Sequence, residues 1–293
     1  MPYFPAGPRR SRIGADDVKA PDFDYCRPES MADALALLSL HADDAAIIAG
    51  GQSLLPILNF RLAAPELLID IGRLDELKQV TEDDEFVEIG ALVRHCDLAD
   101  SPLVGRELPL LHQAIDHIAH PAVRHRGTIG GSLAMADPAA ELGACCLALD
   151  GAFSIVSVRG QRWVAAADFF KGVYETALQP DEILTAIRLP KPAPGTISIF
   201  EEVARRRGDF AMAGLALVAA PNNLRIALLG VADRPVLVEQ TMTLLTNNPT
   251  AVDEAVALIG TEVDPLDDPT YPPAYRRHLV QVLLRRALSR LPQ

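Results

Sequence analysis

The segment Ala49-Gly50-Gly51-Gln52-Ser53-Leu54 follows an apolar run, residues 45–49, that predicts a short buried strand. A second glycine segment, Thr128-Ile129-Gly130-Gly131-Ser132, lies further along the chain. Paired glycines let consecutive backbone N–H groups point into one concavity, which binds an anion without a charged side chain. Hydroxyl groups in both segments would add donors. Two such turns suit a pyrophosphate, whose two charges need donors from both sides.

Neither glycine segment matches the common nucleotide-binding signatures. The sequence contains no GxGxxG or GxxxxGK[ST] pattern at these positions, which argues against a Rossmann or P-loop site. A Gly-Gly-Ser turn alone is weak evidence of phosphate binding, and the alternative is that both segments are ordinary turns.

The composition excludes several classes of protein. The chain has 293 residues, of which 49% are hydrophobic and 23% charged, as in ordinary globular proteins. The apolar run of residues 210–220 is shorter than the ~18 residues that a membrane helix needs. With 27 basic and 39 acidic side chains the net charge is −12, which disfavours nucleic acid as a partner. We therefore expect a soluble, cytoplasmic protein with no membrane span.

The pattern of the chain predicts an α+β fold in which strands are followed by helices. Ser30 is the expected N-cap of a helix over residues 31–40. Residues 190–195 hold three prolines and a glycine and are the clearest linker. Residues 1–21 are proline-rich with three arginines and predict a flexible N-terminal extension, with an arm on a partner subunit as the alternative. Other predicted strands cover residues 67–71, 86–90, 153–158, 197–203, 212–218 and 225–231. Residues 98–119 are predicted to be mostly helical with interruptions near Pro102 and Pro109, and further helices are predicted over 139–149 and beyond 248.

The C-terminal residues 271–293 predict a basic amphipathic helix. Its apolar positions are Leu279, Val282, Leu283 and Ala287, and it carries five arginines and no acidic residue. A nucleic-acid or membrane role is one explanation. The favoured one is a terminal helix that packs on the core and turns its arginines to solvent or to acidic neighbours.

Other groups of reactive side chains are weaker candidates. Four histidines lie between His112 and His125, but a metal site would need a further ligand and a supporting shell, so we expect no metal. The four cysteines form no CxxC pair, and Cys145 and Cys146 lie in a small-residue run typical of a core helix. Asp137 and Glu141 could act as acid and base, but acceptance of hydrogen bonds from sugar hydroxyls, or the preference for acidic residues at the start of a helix, explains them as well. We assign no catalytic residue.

The two glycine segments and their flanks resemble the medium, FAD-binding subunit of the molybdenum hydroxylases, a family that includes aerobic carbon monoxide dehydrogenase and xanthine dehydrogenase. The first motif is AGGQSLLP, residues 49–56, and the second is RGTIGGS, residues 126–132, which runs on through ADPAAE, residues 136–141. DEIL at 181–184, RRGDF at 206–210 and GVADRP at 230–235 match later signatures in order. The resemblance covers residues 23–288. The sequence departs from the family at two positions. Many members have histidine in place of Gln52, and many have histidine or asparagine in place of Met135.

The resemblance implies an FAD-binding domain of the vanillyl-alcohol oxidase (PCMH) type over residues 22–190, a linker at 191–195, and a smaller α+β flavoprotein C-terminal domain over 196–293. The two glycine segments would hold the FAD pyrophosphate, Asp137 and Glu141 would lie along the ribityl or ribose, and the loop 202–209 would border the flavin edge. Arg205, Arg206 and Arg207 in that loop could stabilise an anionic reduced flavin electrostatically, or could belong to a solvated turn, and the sequence favours neither explanation over the other. The cofactor-binding residues implied by the motif match are Ala49, Gly50, Gly51, Gln52, Ser53, Leu54, Thr128, Ile129, Gly130, Gly131, Ser132, Asp137, Glu141, Leu184 and Phe200.

The function implied by the resemblance is electron transfer within a complex. Electrons from a large molybdopterin-binding subunit would pass through [2Fe–2S] clusters on a small subunit to FAD on this chain, and then to an external acceptor. The assembly would be a dimer of heterotrimers in the cytoplasm, with a peripheral position at the inner membrane face left open. Two alternatives remain at this point: a stand-alone FAD-dependent oxidase or reductase, and a flavin-free interaction or assembly module.

Overall fold

A computed structural model describes residues 20–221 and 223–292, and the predicted extension therefore lies outside the described residues except for its last two positions. The α-helices are α1 Met31–His41, α2 Leu54–Asn59, α3 His95–Ala99, α4 Pro102–Glu107, α5 Pro109–Ile115, α6 Pro121–Arg124, α7 Ile129–Met135, α8 Glu141–Ala148, α9 Ala166–Phe169, α10 Glu239–Asn247, α11 Val252–Ile259 and α12 Pro273–Leu288. The strands are β1 Asp24–Cys26, β2 Ala45–Ile48, β3 Leu67–Asp70, β4 Val80–Glu82, β5 Phe86–Gly90, β6 Ala152–Ser157, β7 Gly160–Ala165, β8 Phe170–Gly172, β9 Glu175–Thr176, β10 Ile183–Pro190, β11 Ile197–Ala204, β12 Ala211–Ala220, β13 Asn223–Leu229 and β14 Val236–Leu237.

The strands form three main sheets, and the α+β prediction is confirmed. A small parallel sheet has the order β1-β3-β2, and an antiparallel sheet follows with the order β4-β5-β10-β6-β7. The antiparallel sheet β11-β12-β13-β14 comes after residues 191–196, a connection that includes the proposed linker 191–195. The first glycine segment lies directly after β2, so the parallel sheet fixes where its chain enters the site.

Local sequence signals account for several helix boundaries. The Ser30 hydroxyl accepts a hydrogen bond from Asp33 N, as expected of the N-cap of α1. The predicted helical stretch over residues 98–119 is three short helices, because Pro102 and Pro109 each occupy a first-turn position. Proline lacks the N–H group that a continuing helix needs, so each proline starts a new helix.

The third main sheet packs against helices on both of its faces. Ala216, Ala227 and Leu229 belong to the same core as α5 and α8, whereas Leu215 and Ile226 pack with the C-terminal helices. Side chains along a strand alternate between the two faces, so one strand can serve both cores. The small side chains of Ala216 and Ala227 allow α8 to approach the sheet closely.

Two hydrogen-bonded links join this sheet to the first part of the chain. The Gln113 amide on α5 donates to Ser198 O and accepts from Phe200 N, both at 3.0 Å. Gly230 N donates to Pro138 O at 2.8 Å. The first link fixes the sheet beside α5, and the second fixes it beside the segment that follows the second glycine motif.

The C-terminal helix α12 packs on the core, as favoured from the sequence. Arg285 pairs with Asp253 at 2.7 Å, and Arg286 and Arg290 both pair with Glu201 at 3.1 Å. The prediction that Val282 belongs to the apolar face is wrong, because Val282 is 37% exposed while Leu284 is buried. Within the described part of the chain, no helix is long and apolar enough to cross a membrane.

Candidate functional site

The fold brings the two glycine segments into direct backbone contact. A methyl group added at Gly50 would lie 2.1 Å from the carbonyl oxygen of Arg126 and 2.9 Å from the Cα atom of Gly127. A methyl group at Gly131 would lie 3.9 Å from the Cβ atom of Ala49. Glycine at position 50 is therefore required for the approach, since any side chain would push the segments apart.

The first segment has backbone donors that no protein group uses. Across residues 20–221 and 223–292, the N–H groups of residues 50–53 donate to no protein acceptor, and Leu55 N is the first to bond, to Gly51 O at 3.1 Å. Gly51 has φ +73°, the left-handed conformation that glycine adopts without strain. The Ser53 hydroxyl makes no capping bond to α2. A run of unpaired N–H groups in such a turn is an anion-binding concavity.

The second segment is predicted from the sequence to be a second anion-binding turn, but in the structure its backbone N–H groups are not available to an anion. It is the start of α7: Thr128 is the N-cap, and its hydroxyl accepts from Gly131 N at 3.1 Å. Ile129 N donates to Val93 O, Gly130 N to Ala91 O, and Ser132 N to Thr128 O. All four N–H groups after Thr128 are thus used inside the protein, so an anion would have to be bound here by the hydroxyl groups.

The glycines of the second segment serve close packing. A methyl group at Gly130 would lie 2.4 Å from the Cβ atom and 2.7 Å from the carbonyl oxygen of Ala91. Ala91 N in turn donates to Thr185 O at 2.9 Å, which links the segment to β10. Leu184, the residue before Thr185, is buried in the same core as Ile129 and Leu133.

His95 is a buried histidine beneath the second segment that the sequence argument missed. A methyl group added at Gly127 would lie 3.1 Å from the His95 ring, and His95 N donates to Gly127 O at 3.0 Å. Neither ring nitrogen has a hydrogen bond of normal geometry within the described residues. Burial lowers the pKa of His95 to about 4, and the neighbouring Thr128 backbone offsets this only in part. The ring is therefore neutral at physiological pH. Nothing in the sequence around His95 signals this position.

Asp137 and Glu141 lie between the second segment and α8, in different surroundings. The Asp137 carboxylate accepts from Ala139 N at 2.9 Å and from the Tyr174 hydroxyl at 3.5 Å. Glu141 is the first residue of α8 and is buried, and burial raises its pKa to about 8, with the Glu202 carboxylate adding to the effect. Glu141 is therefore protonated near neutral pH and presents an O–H donor, whereas Asp137 presents acceptors.

Phe200 and Glu202 bring the third sheet into the same region. The rings of Phe200 and His117 meet edge to face with centroids 5.1 Å apart. His117 Nδ1 lies 3.8 Å from a carboxylate oxygen of Glu202, whose side chain is 3% exposed, and this carboxylate raises the pKa of His117. Of the four histidines that the sequence analysis considered as metal ligands, His117 therefore contacts the site region through Phe200. Within the described residues, no three His, Cys, Asp or Glu side chains are arranged to hold a metal ion.

The site thus combines unpaired backbone donors, a neutral carboxylic acid and buried apolar side chains from two parts of the chain. Residues 21–192 match the FAD binding domain in molybdopterin dehydrogenase, and residues 198–291 match the CO dehydrogenase flavoprotein C-terminal domain. The chain belongs to this family of FAD-binding subunits of molybdenum-containing dehydrogenases and is an oxidoreductase subunit.

Named relatives match over nearly their whole length. Caffeine dehydrogenase subunit beta of Pseudomonas sp. (strain CBB1) is 38% identical over 93% of this chain and 96% of its own. The carbon monoxide dehydrogenase medium chain of Afipia carboxidovorans is also 38% identical, over 92% of this chain and 96% of its own. A solved structure of carbon monoxide dehydrogenase from Hydrogenophaga pseudoflava, which lacks the Mo-pyranopterin moiety of its cofactor, superposes with a TM-score of 0.89 at 37% identity. It covers 92% of this chain and 97% of the chain in that structure.

Proposed function

We propose that this chain is the FAD-carrying electron-transfer subunit of a molybdenum hydroxylase complex. The observation that carries the proposal is the contact of Gly50 with the backbone of residues 126–127, beside four N–H groups that no protein acceptor uses. An unpaired row of donors in an acidic protein fits the pyrophosphate of a dinucleotide, because local dipoles supply the positive potential that the net charge lacks.

The residues around this point fit the remaining parts of FAD. Residues 49–54 would hold one phosphate through backbone N–H groups and the Ser53 hydroxyl. The second segment would contribute the hydroxyls of Thr128 and Ser132, since its own N–H groups are used internally. Asp137 would accept from sugar hydroxyls, and the protonated Glu141 would donate to an acceptor on the cofactor.

The apolar part of the site comes from Leu184 and Phe200, both buried, which would pack against the flavin ring and keep water from it. Bound FAD would supply the exchange between two-electron and one-electron chemistry. The protein's part is to bind, orient and shield the ring. We therefore assign no general acid or base to the chain.

We further propose a functional division into an FAD-binding unit over residues 22–190, a linker over 191–195, and a C-terminal unit over 196–293. The partners would be a large molybdopterin-binding subunit, where substrate is oxidised, and a small subunit with [2Fe–2S] clusters, assembled as a dimer of heterotrimers in the cytoplasm. Electrons would reach this chain from the small subunit and leave to an external acceptor.

The identity of the substrate is set elsewhere in the complex under this proposal. A caffeine dehydrogenase subunit and a carbon monoxide dehydrogenase chain are equally similar to this one, although their names give unrelated substrates. That similarity is expected if this subunit handles electrons and never touches the substrate.

The proposal is tested with the chain purified from its native host together with whatever copurifies. We expect flavin absorption bands, FAD released on denaturation and identified by chromatography, and a large and a small subunit in stoichiometric amounts. Released FMN would contradict the pyrophosphate assignment, because FMN has no pyrophosphate. A monomer that carries FAD and turns over a substrate alone would support the stand-alone oxidase instead. A colourless complex that takes up no added FAD would refute the flavoprotein assignment.

A further inference from the structure

The loop between β11 and β12 carries three consecutive arginines without acidic partners. Arg205, Arg206 and Arg207 are exposed, and within the described residues none of their guanidinium groups makes an ion pair or a hydrogen bond. Asp209, the acidic residue of the same loop, donates its backbone N–H to Arg206 O at 3.1 Å, but its carboxylate forms no ion pair with the three arginines. Most other arginines with neighbouring carboxylates are paired, as Arg159 is with Asp181. Three unpaired arginines in a row stand out in a chain with a net charge of −12.

The loop is held against the first part of the chain at a defined place. Gly208 has φ +85°, and a methyl group there would lie 2.7 Å from Ala119 O and 3.2 Å from the His120 ring. Arg124 donates to the carbonyl oxygens of Ile118 and Ala119 in the same turn, at 2.8 and 3.1 Å. Its cationic group therefore lies beside the arginine loop.

The basic surface extends from there to the glycine segments. Arg126 is exposed, and its carbonyl oxygen contacts Gly50. We call residues 205–210 with Arg124 and Arg126 the basic patch. It borders the first glycine segment and spans both parts of the chain, so a molecule bound on it would lie next to the proposed cofactor site.

The composition of the basic patch favours a protein over a small anion. Phe210, at the end of the loop, is 77% exposed, and an exposed aromatic ring contributes nothing to the binding of a phosphate. Arginine together with an aromatic side chain is the combination enriched at the energetic centres of protein interfaces. Permanent subunit interfaces are larger and more apolar, whereas charge-rich surfaces act mainly by speeding encounter. The basic patch is such a charge-rich surface.

We propose that the basic patch is the transient docking surface for an acidic electron-acceptor protein. This inference rests on the proposed function, since it assumes that electrons leave the complex through this subunit. Each encounter would pass one electron to the acceptor. Two acceptor molecules are therefore reduced for each two-electron oxidation of the flavin, and the two protons are released to solvent.

The experiment uses the purified complex, with its flavin photoreduced so that no substrate is needed. Flavin reoxidation is followed by stopped flow after mixing with an acidic b-type cytochrome, a basic c-type cytochrome, or neutral benzoquinone. We expect the acidic cytochrome to react faster than the basic one at low salt, and its rate to fall steeply as ionic strength rises.

The test variant is R205Q/R206Q/R207Q, and the matched control is K78Q/R277Q/R285Q, which removes three positive charges from exposed sites elsewhere. We expect the test variant to reduce the acidic cytochrome at least tenfold more slowly at low salt with little remaining salt dependence, and to reduce benzoquinone as the wild type does. The control should change either rate by less than twofold. F210S should lower the rate of reduction of the acidic cytochrome severalfold at every salt concentration.

Several outcomes would overturn the docking proposal. The first is a test variant that loses as much rate with benzoquinone as with the acidic cytochrome, and the second is a control variant that loses as much rate as the test variant. The third is a test variant that reduces the acidic cytochrome as fast as the wild type. The others are inhibition of cytochrome reduction by micromolar inorganic pyrophosphate, and a wild-type complex that reduces benzoquinone but not the acidic cytochrome. Failure of the proposed function is recognised separately, because a complex without FAD, or one unable to reduce benzoquinone, would refute that function whatever the loop variant does.

Discussion

The two glycine segments share a sequence pattern but use it in opposite ways. In residues 50–53 the backbone N–H groups are unpaired within the described residues, and the chain between β2 and α2 is open to a ligand. In residues 129–132 every N–H group has a protein acceptor, and Gly130 is buried against Ala91. The first segment thus has donors available to a ligand, whereas the second segment uses its donors to pack against the rest of the protein.

This difference shows that a pair of consecutive glycines does not determine how the neighbouring backbone N–H groups are used. What decides is whether another part of the chain offers acceptors. The second segment meets the carbonyl oxygens of Ala91 and Val93, which accept from its N–H groups. The first segment meets the carbonyl oxygen of Arg126, but this oxygen faces the Cα atom of Gly50 and accepts from none of the N–H groups of residues 50–53.

The largest expected effect is that of a methyl group at Gly130. Gly130→Ala should lower the free energy of unfolding by about 3 kcal/mol, because the new Cβ atom overlaps the backbone of Ala91. Gly50→Ala should lower it less, since the open first segment can shift away from Arg126, but should abolish FAD binding. Gly105→Ala is the control, because a methyl group there would lie 3.7 Å from the His112 ring, an ordinary contact distance. Urea unfolding and FAD titration measure both quantities, and equal losses of stability at Gly50 and Gly130 would contradict the distinction.

The next effect concerns the acid that follows the second segment. The folded state keeps the Glu141 proton up to about pH 8, whereas the unfolded chain releases it above about pH 4.5, so stability falls as the pH rises between these values. Glu141→Gln removes this dependence. Without FAD, we expect the variant to gain about 3 kcal/mol relative to wild type between pH 6 and pH 9. Parallel pH profiles of urea unfolding would show that Glu141 is not held neutral.

His95 should give the opposite pH dependence. Its pKa of about 4 in the folded state lies below the ordinary value of 6.5, so the unfolded chain binds the proton more tightly and stability falls as the pH drops below 6.5. Between pH 8 and pH 5 the wild type should lose about 2 kcal/mol from this group, and His95→Leu should not. Thermal or urea unfolding at both pH values measures the difference. If wild type and His95→Leu lost the same stability between pH 8 and pH 5, protonation of His95 would not be the cause of the loss.

The cap of α7 should contribute a smaller amount. Thr128→Val keeps the shape of the side chain but removes the oxygen that accepts from Gly131 N, and should cost about 1 kcal/mol. Thr128→Ser retains the oxygen and should be close to wild type. A stability loss in the serine variant as large as that in the valine variant would show that packing, and not the cap, is measured.

The smallest effect on stability is expected in the first segment. The Ser53 hydroxyl makes no capping bond, so Ser53→Ala should change the free energy of unfolding by less than about 0.5 kcal/mol. It should nevertheless weaken FAD binding severalfold, as measured by titration of the FAD-free complex. A stability loss equal to that of Thr128→Val would mean that the two segments do not differ in the way described.

Local signals in the sequence were sufficient for much of the fold. The Ser30 cap and the strand predicted over residues 212–218 both depend on neighbouring residues, and the structure has the cap at Ser30 and the strand at Ala211–Ala220. The position of Val282 was predicted wrongly because helical spacing alone left two adjacent stripes open, and packing selected the one with Leu284.

Less of the site could be foreseen, because its properties come from distant parts of the chain. The acceptors for Ile129 and Gly130 lie on a loop more than thirty residues earlier. The neutral states of His95 and Glu141 follow from burial, which no short pattern reports. The residues of the two glycine segments could be identified from the sequence. Which of the two segments has unpaired N–H groups could not.

The Gln113 amide has a consequence for timing. Its two ends bond to Ser198 and Phe200, so it is satisfied only when β11 lies beside α5. A chain emerging from the ribosome exposes both glycine segments well before it reaches Phe200, and domains fold in that order. The nascent protein would thus contain the proposed phosphate-binding segment before the proposed contact of the flavin ring exists. Under the proposed function, FAD binding would therefore be completed only after the last sheet has been translated.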